Sequence, residues 1–175
     1  MRWLIDGYNV IRRSTELYER EKDSLEAGRR ALLELLGRVA RGRGDQFTVV
    51  FDGAGPGSST GSAGVRIIFS SARESADRVL VRMAGAQGGA VVSDDREVLR
   101  AAARAGAVPI TAREFLARLE AVEAGSARDV GETEKDADDE SESRTAPRKG
   151  NPRKRGKKAR AAARALGRLG GRPRS

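Results

Sequence analysis

Three short apolar runs in this chain each close on aspartate: RWLID (2–6), FTVVFD (47–52) and GAVVSDD (89–95). Each is bounded by turn-forming residues and is too short for a helix, so each reads as a buried strand. VRIIF (65–69) and AVPI (107–110) read as two more strands without the acid. Helical patterns separate them. In DSLEAGRRALLELLGRVARG (23–42), Leu25, Leu32, Leu33, Leu36 and Val39 recur on one face, and Asp23 and Glu26 have capping-box spacing. Ser71 and Glu74 suggest a second capped start, leading into ESADRVLVRMAGA. REVLRAAARAG follows the fourth strand. Thr111 and Glu114 form a third capping box, before AREFLARLEAVEAG. Strands alternating with helices predict an α/β domain with a mostly parallel sheet over residues 1–125.

In such a sheet, ligands bind beyond the carboxyl ends of the strands. Asp6, Asp52 and Asp94 with Asp95 all fall on that edge, and a helix entering there brings Asp77 to the same group. Glu74, one turn earlier, is a candidate supporting acid, although its capping role is the simpler explanation. Singly, each acid also fits a purely local role, as a turn residue at Asp6 and Asp52, an N-cap at Asp94 and part of a solvated helix face at Asp77. Their repeated placement at strand ends favours a shared site.

Composition narrows the chemistry. The chain has no cysteine and no histidine, which removes thiolate zinc sites, the cysteine nucleophile and the commonest general base. Carboxylates crowded into one pocket tolerate ionisation when a divalent cation sits among them. Hard oxygen donors select Mg²⁺ or Mn²⁺, which activate water and stabilise charge in phosphodiester hydrolysis. The glycine-rich stretch 53–64 has no P-loop pattern. It reads as a mobile loop near the active edge and a candidate substrate flap. Tyr8, where a phosphoaspartyl D-x-D motif would need a second aspartate, excludes that chemistry and reads as a packing residue.

LIDGYNVI, VVFDG, VRIIFSSARESADRVL and GAVVSDDREV occur in that order. Together they resemble the YacP-like branch of the NYN family, within the wider PIN-like nuclease group, over residues 1 to 122. The resemblance implies a PIN-like three-layer α/β/α sandwich. It also implies Mg²⁺- or Mn²⁺-dependent endoribonuclease activity on RNA, associated in this branch with ribosome-linked cleavage of mRNA. Carried over by position, Asp6 looks like the first-strand acid and Asn9 like the polar residue that orients the site. Asp77 resembles the acid of the family's helix start, and Asp94 the acid of its strand end. Asp52 matches a recurring neighbouring position. The sequence departs from the pattern at Asp95, which leaves open which of the two adjacent acids faces the metal, and again after residue 125.

Net charge is +9 overall. Residues 1–127 carry +2 and residues 128–143 carry −6, whereas 144–175 hold 13 basic side chains and no acid. With few large apolar residues, 126–143 reads as an acidic disordered linker and 144–175 as a basic disordered tail. KKARAAARALGRL within that tail is rich in helix formers. Cations without aromatic residues fit sequence-independent contacts to RNA phosphates. Arg73, Arg78, Arg96 and Arg100 are further candidates for phosphate contact, or simply solvated helix faces. The opening MRWLIDGYN lacks a signal-peptide core and no stretch has the length of a membrane span, so the expectation is a cytoplasmic protein without a membrane partner. The competing class is a non-catalytic RNA- or ribosome-binding adaptor of the same fold.

Overall fold

The computed structural model describes residues 1–41, 44–53, 59–60, 64–131 and 156–170, with 59–60 and 126–131 described by backbone alone. The strands are β1 (Arg2–Asp6), β2 (Gln46–Phe51), β3 (Ser59–Thr60), β4 (Val65–Phe69), β5 (Ala90–Val92) and β6 (Val108–Ile110). They form one sheet in the order β3-β4-β2-β1-β5-β6. Among the described residues five strands are parallel, and only β3 runs antiparallel, against β4.

Alternation along β1 sorts the core into two layers. Trp3 and Ile5 pack on one side with Phe47, Val49 and Phe51. That side is covered by α1 (Gly7–Arg13), α2 (Thr15–Asp23), α3 (Leu25–Ala40), α6 (Ala112–Gly131) and α7 (Lys157–Arg168). Leu4 and Val50 point the other way, beneath α4 (Ala76–Gln87) and α5 (Arg96–Arg104). The result is the expected three-layer α/β/α arrangement. No helix among the described residues is long and apolar enough to cross a membrane.

The sequence reading needs correction at several helix starts. One helix was expected between β1 and β2, and the described residues there form three. α1 begins directly at Gly7, with the Asp6 side chain accepting from Asn9 N. α2 buries only Leu17 and is otherwise charged, so it carries little apolar periodicity. α3 is capped by Ser24, whose side chain accepts from Ala27 N; the Asp23–Glu26 box does not form. At α4 the cap is Ser75, while Ser71 accepts from Arg73 N and Glu74 N in the preceding turn. The Thr111–Glu114 box at α6 does form, each side chain accepting from the other residue's backbone N–H.

Two helical segments lie in the region after 125, the second within the KKARAAARALGRL run whose composition favours helix. α6 continues to Gly131, and α7 docks through Ala162, Ala165 and Leu169, all buried. Small alanines let α7 lie close to the body without large apolar side chains, which is why composition concealed its docking. Arg118 on α6 fixes its end, donating from Nε to Leu166 O (2.8 Å) and from Nη2 to Leu169 O (3.1 Å). Gly170 N then donates to Asp45 Oδ2 (2.9 Å), at the start of β2. The remainder of the linker and tail, and most of the 53–64 loop, lie outside the described residues.

Candidate active site

From β1 the chain moves one way across the sheet to β2 and β4, then returns to the other flank of β1 as β5 and β6. The strand order therefore reverses beside β1, and a crevice opens above the carboxyl ends of β1 and β5. Asp6 ends β1, and Ser93 and Asp94 follow β5. The two loops clasp each other there: Ser93 Oγ donates to Asp6 Oδ2 (3.2 Å) and Asp94 N donates to Asn9 Oδ1 (3.0 Å). Asn9 thus sets the backbone that carries Asp94.

Gly7 makes this entry possible through space rather than through turn freedom. A Cβ at Gly7 would overlap the ring of Phe51 on β2. Without it, α1 starts flush against the sheet and Asp6 stays at the crevice.

Asp52 stands at the end of β2. Its Oδ1 accepts from Ser70 Oγ (2.6 Å) and from Ala76 N (3.4 Å), which ties β2 to β4 and to the start of α4. Asp77 lies in the first turn of α4. Asp94 Oδ1 accepts from Ala112 N (3.0 Å), and its Oδ2 pairs with Arg13 Nε (3.4 Å). A cavity of about 810 Å³ is lined by Asp6, Asn9, Asp52, Asp77 and Asp94. Asp95 is absent from this lining; it is the N-cap of α5, with Oδ1 accepting from Glu97 N (2.6 Å) and Val98 N (3.2 Å).

The electrostatics of the group are unfavourable as it stands. Burial raises the Asp6 carboxyl above its ordinary pKa, against the hydrogen bonds from Asn9 and Ser93, and the charge of Asp77 adds to the rise. Asp77 is raised first by its own burial and then by the charges of Asp95, Asp52 and Glu97. Neither Asp6 nor Asp77 has a basic partner among the described residues. Oxygen donors are the type that hard divalent cations take. No three acidic side chains among the described residues converge tightly enough to hold an ion directly. Water would complete the coordination of any cation here.

The arginines singled out from sequence, Arg73, Arg78, Arg96 and Arg100, do not line the cavity. Arg12, Arg13 and Arg29 do. Arg12 and Arg13 sit on α1, which the sequence reading lacked; Arg29 sits on α3, a helix it had, where apolar periodicity did not single the residue out.

A sequence comparison matches residues 3–154 to the YacP-like NYN domain. No match is found among curated proteins. The fold is similar to the crystal structure of Rae1 (YacP) from Bacillus subtilis, at 27% identity and a TM-score of 0.65, covering 75% of this chain and 80% of that one. A tryptophan-to-leucine variant of the same Bacillus protein matches at 27% identity and a TM-score of 0.66, over 78% of this chain and 86% of that one. With this fold, and with the family motifs gathered at one sheet edge, the chain belongs to the YacP-like NYN domain family.

Proposed function

We propose that the protein is a metal-dependent endoribonuclease that hydrolyses phosphodiester bonds in RNA, with mRNA as its substrate. The observation that carries this reading is the gathering of Asp6, Asp52, Asp77 and Asp94, from four separate segments, into one cavity at the crevice between β1 and β5. Asp6, Asp77 and Asp94 would hold Mg²⁺ or Mn²⁺, with Asp52 beside them. When bound, the cation supplies an activated water and neutralises charge on the phosphoryl oxygens.

The remaining work belongs to the chain. Ser93 and the Asn9 N–H hold the two oxygens of Asp6 in place. Asn9 Oδ1 fixes the Asp94 backbone, and Ala112 N–H orients one Asp94 oxygen. Asp95 keeps α5 capped, so the loop between β5 and α5 holds its shape. These contacts preset the acids before substrate arrives, which limits reorganisation during the reaction.

α7 gives part of the basic tail a defined surface. Lys157, Lys158, Arg160, Arg164 and Arg168 are all exposed, and the three arginines recur every four residues along one side of the helix. That row fits a phosphate backbone of RNA, free or on a ribosome, and adds salt-sensitive affinity.

One observation favours the adaptor reading: among the described residues the acids do not converge on a ready-made ion site. The deciding experiment incubates labelled RNA with the protein, with Mg²⁺ or Mn²⁺ and with EDTA, beside Asp6→Asn and Asp94→Asn. Metal-dependent cleavage lost in both variants supports the nuclease. RNA binding without cleavage by the native protein supports the adaptor.

A further inference from the structure

Arg29 is a half-buried cation without a carboxylate partner among the described residues. Its guanidinium lies 5.3 Å from the ring centre of Tyr8, 5.5 Å from that of Phe51 and 5.1 Å from that of Phe69. The Tyr8 hydroxyl accepts from Arg29 Nε (2.8 Å) and from Nη2. Three rings surround the guanidinium and the phenol accepts from two of its nitrogens, which leaves its other N–H groups for another acceptor. Arg12 lies 5.2 Å from the Tyr8 ring centre, and its charge is answered by Glu21. Arg13 is answered by Asp94. Among the described residues, Arg29 is the cavity-lining cation whose charge no acid meets. Taking part of a charge out of water without a counter-ion is unfavourable, so a preorganised guanidinium here is best explained by an anion that arrives with the ligand.

We propose that Arg29, laid on Tyr8, Phe51 and Phe69, holds a phosphate of single-stranded RNA in a subsite on the α1–α3 side of the cavity. The planar fork of a guanidinium matches two phosphate oxygens, which a lysine ammonium does not. Leu25, 50% exposed, lines the same cavity and offers apolar surface to the adjoining sugar or base. The subsite positions a phosphate flanking the one to be cleaved and takes no part in bond breaking. Tyr8, read from sequence as packing, becomes a positioning residue for Arg29. The assignment rests on the nuclease reading of this cavity, yet it makes a claim about binding that is tested without cleavage.

The probe is a fluorescein-labelled RNA hexanucleotide, short enough to limit simultaneous contact with the basic tail. Its binding is followed by anisotropy in EDTA across a salt series, for the native protein, Arg29→Leu, Arg29→Lys, Tyr8→Phe and the off-cavity control Arg104→Leu, at the far end of α5. Arg29→Leu is expected to weaken binding about tenfold and to reduce the log K against log salt slope by about 0.7, the loss of one single-strand phosphate contact. Arg29→Lys is expected to restore the slope and only part of the affinity. Tyr8→Phe keeps the charge, so the slope stays and the affinity falls by about threefold. Arg104→Leu is expected to leave both unchanged. Arg29→Leu binding with native affinity and slope overturns the proposal, and so does a lowered melting temperature in that variant with RNA binding intact. If native protein never cleaves RNA while Arg29→Leu still loses slope and affinity, the subsite stands and the nuclease reading falls. If the native protein cleaves RNA with metal and Arg29→Leu binds unaltered, the nuclease reading stands and the subsite falls.

Discussion

Asp6 and Asp45 belong to opposite edges of one sheet and are treated in opposite ways. Asp45, 5% exposed, precedes β2 at the amino-terminal edge. It accepts from Trp3 Nε1 (2.9 Å) and Gly170 N (2.9 Å), and the Met1 amine stands 3.1 Å away. Its charge is met by a cation and its lone pairs by donors, so it joins β1, β2 and the end of α7. Asp6, at the carboxyl edge, receives two hydrogen bonds but no cation among the described residues, and Asp77 repels it. Burial of an acid is thus no sign of function by itself. What separates the two edges is whether the neighbours complete the charge or leave it incomplete.

The sharpest break of that contrast is Asp6→Asn against Asp45→Asn in the RNA cleavage assay. Asp6→Asn is expected to lower the metal-dependent rate about 10³-fold, as for loss of one preorganised electrostatic contact in an active site. Asp45→Asn is expected to retain the native rate per folded molecule. Equal losses in both would show that the acid at the amino-terminal edge also reaches the chemistry. Next in size is Asp45→Ala, which strands the Trp3 indole N–H and the Gly170 N–H. It should cost about 3 kcal/mol, or roughly 6–12 °C in melting temperature. Hydrogen exchange should then show α7 losing protection before α3 does, because the Gly170 contact is one of α7's anchors. An unchanged melt would mean that Asp45 is only incidentally buried.

Gly7→Ala comes third. The added methyl meets Phe51, and overpacking of this kind costs about 1–3 kcal/mol. Because α1 carries Tyr8 and Asn9, the variant should also lose cleavage beyond what its lower stability explains. Normal kinetics in the surviving folded fraction would contradict that coupling.

The sheet and the acids were legible in the sequence because strand ends are short, apolar and punctuated, and ligands collect at one edge of parallel strands. Asp6, Asn9, Asp52, Asp77 and Asp94 accordingly appear in one cavity. Asp95 was not distinguishable from Asp94, since choosing the N-cap depends on where α5 begins in space. α1 and α2 were hidden because each is short and buries few side chains, so apolar periodicity had little length to register. The loss of α1 had a chemical consequence: Arg12 and Arg13 went unseen, while Arg29, on the recognised α3, was not separable from the other arginines of that helix, and the arginines named instead lie outside the cavity. The docking of α7 was hidden for another reason. The helix's buried face is mostly alanine, which composition does not separate from a solvated tail, and its partner Asp45 lies 125 residues away in sequence.

The smallest effect has the most informative sign. In the metal-free protein Asp6 has a folded-state pKa above its unfolded value, chiefly through burial. The folded state therefore binds the proton more tightly, and its contribution to stability is greatest below the unfolded pKa and lost as pH rises through the folded one. At neutral pH the ionised Asp6 is a burden on the fold. Asparagine caps a helix about as well as aspartate, so Asp6→Asn should keep the α1 start while removing that burden. In EDTA at pH 7 the variant should melt slightly higher than the native protein, and the difference should shrink as pH falls toward 3.8. The same substitution would then abolish cleavage and stabilise the fold, as expected of an acid retained for binding a cation rather than for holding the sheet together. Asp45→Asn should move the other way, losing stability at neutral pH because the neutral amide forfeits the ion pair to the Met1 amine. A lower melt for Asp6→Asn across the whole pH range would place Asp6 with Asp45, as a structural acid, and remove the distinction between the two edges.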